Sequence, residues 1–200
     1  IASSICKVDL LSDLVDEFPE LQGIMGGYFA EEQGFEKDIC LAVSEHYLPT
    51  GPESKIPKKS YSLALSFSDK LDTLVGFFGI GLKPTSSKDP FALRRTAIGL
   101  LRIVTENKLN IQIKDLINYS IITYEEQNVK FSNKLVINDV LLFLKDRFKN
   151  LLKDKKIRND IIEAVDSSHI KYDFFEVYKK CLVINKNISK DICKNIIGTY

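Results

Sequence analysis

The stretch Asp69-Lys-Leu-Asp-Thr-Leu-Val-Gly-Phe-Phe-Gly-Ile-Gly-Leu-Lys-Pro-Thr-Ser-Ser-Lys-Asp-Pro-Phe-Ala-Leu-Arg-Arg-Thr-Ala-Ile-Gly-Leu-Leu-Arg102 decides how the chain is read. Leu71, Leu74 and Val75 fall on one helical face, with Asp69 and Asp72 three residues apart on the face beside it. Gly76, Gly79 and Gly81 then predict the end of that helix, and Lys-Pro-Thr-Ser-Ser supplies turn chemistry. Asp89 is a suitable N-cap, and Pro90 suits a first helical position, where its missing N–H costs nothing. A capped helix is expected from Pro90.

That helix has two unlike faces. Phe91, Ile98, Leu100 and Leu101 make an apolar side, whereas Arg94, Arg95 and Arg102 project elsewhere, with Lys88 just before the cap and Lys83 further upstream. Three of the chain's five arginines lie here. The guanidinium fork donates two hydrogen bonds at once to a phosphate, and a helix N-terminus adds further donors, so the cluster is a candidate phosphate-backbone surface. The competing reading is a solvated helix face whose arginines pair with Asp or Glu.

Three strings in register, Asp9-Leu-Leu-Ser-Asp-Leu-Val-Asp-Glu-Phe-Pro-Glu-Leu-Gln-Gly-Ile-Met-Gly26, Glu45-His-Tyr-Leu-Pro49 and the run Asp69 to Arg102, resemble the β subunit of the bacterial two-subunit glycyl-tRNA synthetase. The resemblance is strong over residues 7–107 and weaker beyond, where Ile192-Cys-Lys-Asn-Ile-Ile-Gly-Thr-Tyr200 is similar to the entry to that subunit's anticodon-binding domain. It implies a fragment of a glycine–tRNA ligase, non-catalytic itself, that positions tRNA(Gly) and supports assembly with the α subunit in an α2β2 heterotetramer. In that family the α subunit binds glycine and ATP with magnesium, so no cofactor is expected in this fragment. Lys83, Lys88, Arg94, Arg95 and Arg102 are the expected tRNA contacts, and neither DNA nor a membrane is an expected partner.

Composition is compatible with this. A net charge of +1 gives no global attraction for polyanions, so any nucleic-acid binding has to come from a local cluster. The cysteines at 6, 40, 181 and 193 form neither a C-x-x-C pair nor a histidine-supported zinc spacing and read as reduced thiols. No apolar run approaches the ~20 residues that span a bilayer, and Ile1-Ala-Ser-Ser lacks the parts of a signal peptide, so a cytoplasmic location is expected.

Along the chain the periodicity predicts helices throughout. They are placed at 3–16, from Pro19 to Gly34, at 36–47, 60–76, 90 onward, 110–123, 133–153, 157–165, 173–183 and 189–199, the last capped by Ser189. Gly23, Gly26 and Gly27 inside the second helix each cost ~1 kcal/mol relative to alanine and point to close helix packing. Residues 48–59, with Pro49, Pro52 and Pro57, read as the loop where mobility is best tolerated. The expected architecture is all-α, and the resemblance implies an HD-like helical domain over residues 1–127 followed by a second helical segment over 128–200.

A metal-dependent HD-type phosphohydrolase is the enzymatic alternative, because Asp9, Glu17, His46 and Asp69 recur on consecutive helices. HD enzymes hold their metals with several histidines and a His-Asp pair. This chain has two histidines, His46 and His169, no His-Asp dipeptide, and Lys7-Val-Asp9 at the motif position, where an ammonium opposes a metal ion. The four residues therefore read as a degenerate HD-like site without metal, with His46 hydrogen-bonded to a carboxylate such as Asp69. No catalytic residue is assigned. The remaining alternative is a purely structural scaffold for packing subunits together.

Overall fold

The computed structural model describes residues 1–166 and 173–188, and all the regular structure among them is helical. The fold is all-α. The chain divides into two compact units, Ile1–Asn107 and Lys108–Tyr200.

In the first unit, helices α3 (Ile24–Glu32), α4 (Lys37–Glu45), α5 (Ser60–Gly79) and α6 (Leu93–Glu106) pack each against the next. Ala42 and Val43 of α4, Leu74 and Val75 of α5, and Leu100 and Leu101 of α6 are fully buried between them. Each leucine so buried stabilises the fold by about 1.5–3 kcal/mol. The glycines of α3 make this packing possible: a Cβ at Gly27 would lie 2.8 Å from Ser44 Cβ and 3.1 Å from the Cys40 carbonyl oxygen on α4. Close helix approach is therefore their role, as the sequence implies.

The N-terminal part differs from the expected continuous helices. Residues 3–16 form α1 (Ala2–Ile5), a 3-10 turn at Val8–Leu11 and α2 (Asp13–Glu17). The helix is interrupted because Ser12 is extended and caps α2, its hydroxyl accepting the Leu14 N–H at 3.2 Å, while Asp9 turns inward to accept the Gly23 N–H. The apolar residues of this segment are consequently split, Cys6 and Val15 being buried while Leu10, Leu11 and Leu14 turn to solvent, Leu11 at 87% exposure. Pro19 opens only a 3-10 turn, Pro19–Leu21, because Gly23 at φ +84° redirects the chain before α3.

Two further boundaries move. Helix α5 runs through Gly76 and stops at Gly79, after which Gly81 at φ +81° turns the chain. Helix α6 begins at Leu93 rather than Pro90, since Ala92 is left-handed at φ 52°. Asp89 still caps it from upstream: its two carboxylate oxygens accept the Leu93 and Arg94 N–H groups at 2.8 and 3.0 Å.

The second unit contains α7 (Ile113–Glu126), α8 (Asn133–Asp154), α9 (Asn159–Asp166) and α10 (Phe174–Asn187). Helix α7 packs on α8, α8 on α9, and α9 on α10. Val140, Leu144 and Leu152 of α8 are buried at the spacing the sequence shows, and Asp173 caps α10 by accepting the Glu176 N–H at 3.0 Å. The sequence puts its change of organisation between 127 and 128; the structure divides at Asn107, because α7 packs with α8. The helix expected at 189–199, the entry to a further domain at 192–200, His169 and Cys193 lie outside the described residues.

Replacing Gly27 with alanine should lower stability by about 1–3 kcal/mol, the usual cost of overpacking, because the Cys40 backbone cannot yield as a side chain would. A urea midpoint unchanged from the parent chain would contradict this account of the α3–α4 packing.

Candidate functional site

The first unit holds a polar cluster between its N-terminal segment, α4 and α5. Lys7 Nζ meets Asp69 Oδ1 at 2.6 Å and lies 4.0 Å from the centre of the Tyr47 ring, whose hydroxyl accepts a hydrogen bond from Gln22 Nε2 at 2.7 Å. Burial acts against the Lys7 charge, but the Asp69 carboxylate outweighs it and raises the lysine's pKa above the ordinary value. Asp9 and His46 are both fully buried beside this pair.

His46 departs from the expected contact with Asp69. Its Nδ1 lies 2.6 Å from the Val43 carbonyl oxygen, one turn back on its own helix, so Nδ1 carries the proton and Nε2 is left as an acceptor. Burial pushes the His46 pKa down, aided by the Lys7 ammonium and opposed by the Val43 carbonyl and the charges of Asp69 and Asp9. The imidazole is thus held neutral. Asp9 Oδ1 and His46 Nε2 are buried with no protein partner among the described residues.

The four residues marked in the sequence are not all gathered. Asp9, His46 and Asp69 share this cluster through their common neighbour Lys7, whereas Glu17 ends α2 exposed to solvent. The Lys7 ammonium occupies the Asp69 carboxylate that a metal would need, and of the Asp9 carboxylate one oxygen, Oδ2, is committed to the Gly23 N–H. Among the described residues no set of three or more His, Cys, Asp or Glu side chains is placed to hold a metal ion.

Lys70 is a member the sequence reading missed. It follows Phe67 by three residues and precedes Leu74 by four, which puts it on the buried face of α5, and that spacing was the available signal. Its Nζ donates to the Tyr47 carbonyl at 3.0 Å, and Ser66 one turn earlier donates to the Leu48 carbonyl, so two α5 side chains satisfy carbonyls just beyond the C-terminal end of α4. Gly99 of α6 leaves room for the lysine stem: a Cβ there would be 2.9 Å from Lys70 Cε. Burial lowers the Lys70 pKa to about 8, with the Asp69 charge opposing the shift.

The expected phosphate surface divides into two groups. Arg102 is turned inward, its side chain only 12% exposed. Its Nε donates to Glu106 Oε1 at 2.8 Å, and its two terminal nitrogens to the Gly51 and Ser54 carbonyls at 2.7 and 3.0 Å. It clamps the 48–59 loop onto α6, assisted by Asn107 Nδ2, which donates to the Pro57 carbonyl at 3.2 Å. That loop, read from the sequence as the place where mobility is best tolerated, is therefore laced to a helix. Arg94 likewise faces its own neighbourhood, pairing with Asp89 at 3.7 Å and donating to the Thr85 and Ser86 carbonyls. Two of the N–H groups at its helix N-terminus, those of Leu93 and Arg94, are already taken by Asp89.

Arg95, Lys88 and Lys83 remain exposed. Lys83 and Lys88 line a small pocket of about 170 Å³ with Pro84, Thr85 and Phe91. Its position between α5 and α6 was legible as a turn, but not the aromatic wall, since Phe91 reads in the sequence as part of the apolar side of a helix.

The family model described as "Glycyl-tRNA synthetase beta subunit" matches residues 1–167. A glycine–tRNA ligase beta subunit of Clostridioides difficile (strain 630) is 40% identical over 190 residues, 95% of this chain and 27% of that protein. One from Rickettsia canadensis (strain McKiel) is 38% identical over 200 residues, all of this chain and 29% of that protein. One from Rhodospirillum centenum (strain ATCC 51521 / SW) is 42% identical over 165 residues, covering 82% and 22% respectively. The chain thus spans about a quarter of the length of these curated relatives. No helix of the described residues is long and apolar enough to cross a membrane.

Two outcomes test the geometry. Because Lys70 binds its proton less tightly folded than unfolded, stability should rise as pH increases from about 8 toward 10.5. Lys7, whose pKa is raised, works in the opposite sense, its contribution being lost only above 10.5. Subtracting the urea-midpoint profile of Lys70→Met from that of the parent should leave this alkaline rise, and a flat difference would contradict the assignment. Arg102→Gln should lose about 2 kcal/mol, the range of charge-assisted hydrogen bonds, and should speed amide exchange selectively in residues 51–58. Unchanged exchange in that loop would exclude the clamp.

Proposed function

Because this chain belongs to the glycyl-tRNA synthetase beta subunit family, we propose that it works within a glycine–tRNA ligase, positioning tRNA(Gly) and supporting assembly with the α subunit in an α2β2 enzyme. The relatives' name, "Glycine--tRNA ligase beta subunit", supports the ligase and the existence of a partner subunit. In this reading the chain carries no catalytic residue. ATP and magnesium serve glycine activation in the α subunit, the enzyme is cytoplasmic, and the polar cluster around His46 is a degenerate HD-like site that now acts as internal scaffold.

The observation that carries tRNA contact is the exposure of Lys83, Lys88 and Arg95 around the start of α6. Contacts of this type hold a nucleic acid in place without reading its sequence. The scaffold reading has its own support in the same helix, since Arg94 and Arg102 are bound to carboxylates and carbonyls of their own unit. The two readings therefore apply to different residues, the exposed cations to tRNA and the enclosed guanidiniums to the frame behind them.

Lys88→Glu with Arg95→Glu, introduced into the two-subunit enzyme carrying this chain, should weaken tRNA(Gly) binding and lower its log–log salt slope by about one to two, at ~0.9 for each phosphate no longer neutralised. Equal affinity and equal slope in parent and variant would refute the phosphate surface while leaving family membership untouched.

A further inference from the structure

The pocket beside Phe91 has features that phosphate binding alone does not use. Phe91 stacks on Phe77 of α5 with ring centres 4.3 Å apart and planes inclined by 30°, so its position is fixed from behind. Even so, the residue is 44% exposed and lines the pocket. An aromatic residue braced on one side and open on another is a stacking platform, and RNA recognition outside duplexes depends on such platforms.

The walls suit the same ligand. The volume, about 170 Å³, is comparable with cavities that accept one benzene ring, so there is room for a single heteroaromatic ring. Lys83 and Lys88 supply positive charge at the rim. The one acidic residue of the lining, Asp89, is committed to the Leu93 and Arg94 N–H groups and to the Arg94 guanidinium, which offsets part of its repulsion for an anion. The loop is also held ready: Thr85 N–H donates to the Lys88 carbonyl at 2.9 Å, Lys88 N–H to Thr85 Oγ1 at 3.2 Å, and Arg94 holds the Thr85 and Ser86 carbonyls. Little ordering is left to be done on binding.

We infer that this pocket takes one unpaired RNA nucleotide, with its base against the Phe91 ring and its phosphate on Lys88. The inference rests on the tRNA-binding reading and narrows it, since a platform of this kind selects a nucleotide that is not stacked in a duplex. Lysines alone would accept paired and unpaired RNA equally.

The test is fluorescence anisotropy of the 200-residue chain with two labelled probes, a ten-nucleotide single-stranded RNA and a fully paired hairpin, each at several salt concentrations. The single strand should bind more tightly. Phe91→Leu, which keeps an apolar contact for Phe77 but has no ring, should weaken single-strand binding roughly tenfold without altering its salt slope, while Phe91→Tyr should retain the parent affinity. Lys88→Gln should weaken both probes and lower the slope by roughly 0.7 on the single strand. Equal binding of the two probes, or an unaffected Phe91→Leu, would overturn the nucleotide site alone if Lys88→Gln still lowers the slope. Failure of both probes to bind, or indifference of both to Lys88→Gln, would remove the tRNA reading along with it. Loss of association with the α subunit in Phe91→Leu, with RNA affinity unchanged, would assign the pocket to a protein side chain and overturn the inference.

Discussion

The ion pair between Lys7 and Asp69 is the constraint around which the first unit is arranged. It joins a short, irregular N-terminal segment to the long helix α5, and it does so beside two fully buried polar side chains, Asp9 and His46. Buried polar groups are tolerated when the backbone around them supplies partners. Here the Gly23 N–H serves Asp9, the Val43 carbonyl serves the protonated nitrogen of His46, and Lys70 and Ser66 serve carbonyls beyond the end of α4. The α3 glycines belong to the same solution, because only a residue without a side chain lets α3 lie close enough to α4 for Asp9 to be enclosed.

This explains which parts of the chain were legible. Helices α8 and α10 follow from their apolar spacing to within a few residues, since nothing competes with the hydrophobic pattern there. The N-terminal region misleads for a definite reason: Ile5, Cys6, Leu10, Leu14 and Val15 have helical spacing, but Asp9 is drawn inward by a hydrogen bond that no periodicity records, and Leu10 and Leu14 turn outward while Cys6 and Val15 stay buried. The start of α6 moved because a carboxylate can cap a helix from a preceding turn as well as from the residue next to it. In each case a specific polar interaction overrode a pattern argument.

The arginines carry the same lesson in the candidate site. Clustering along the sequence drew attention to α6, and the cluster does surround an exposed basic edge, but its strongest hydrogen bonders face the protein. Guanidinium donates in several directions from one plane, which suits Arg102 to holding two loop carbonyls and a glutamate at once. The lysines, with a single flexible ammonium, remain at the solvent edge. Arg95 stays with them at that edge, so position along the helix, rather than residue type, sorted what charge alone had grouped.

Lys70 and Gly99 illustrate how far one enclosed cation reaches. The stem of the lysine lies where any side chain on α6 would have to begin, so the two positions compete for one volume. An alanine at the second position would press on the first, so the lysine would have to shift its stem or give way to a shorter residue, and in the latter case the carbonyl of Tyr47 would need another donor. A correlated pair on neighbouring helices, far apart in the sequence and unrelated to any ligand, would be the evolutionary trace of that shared space.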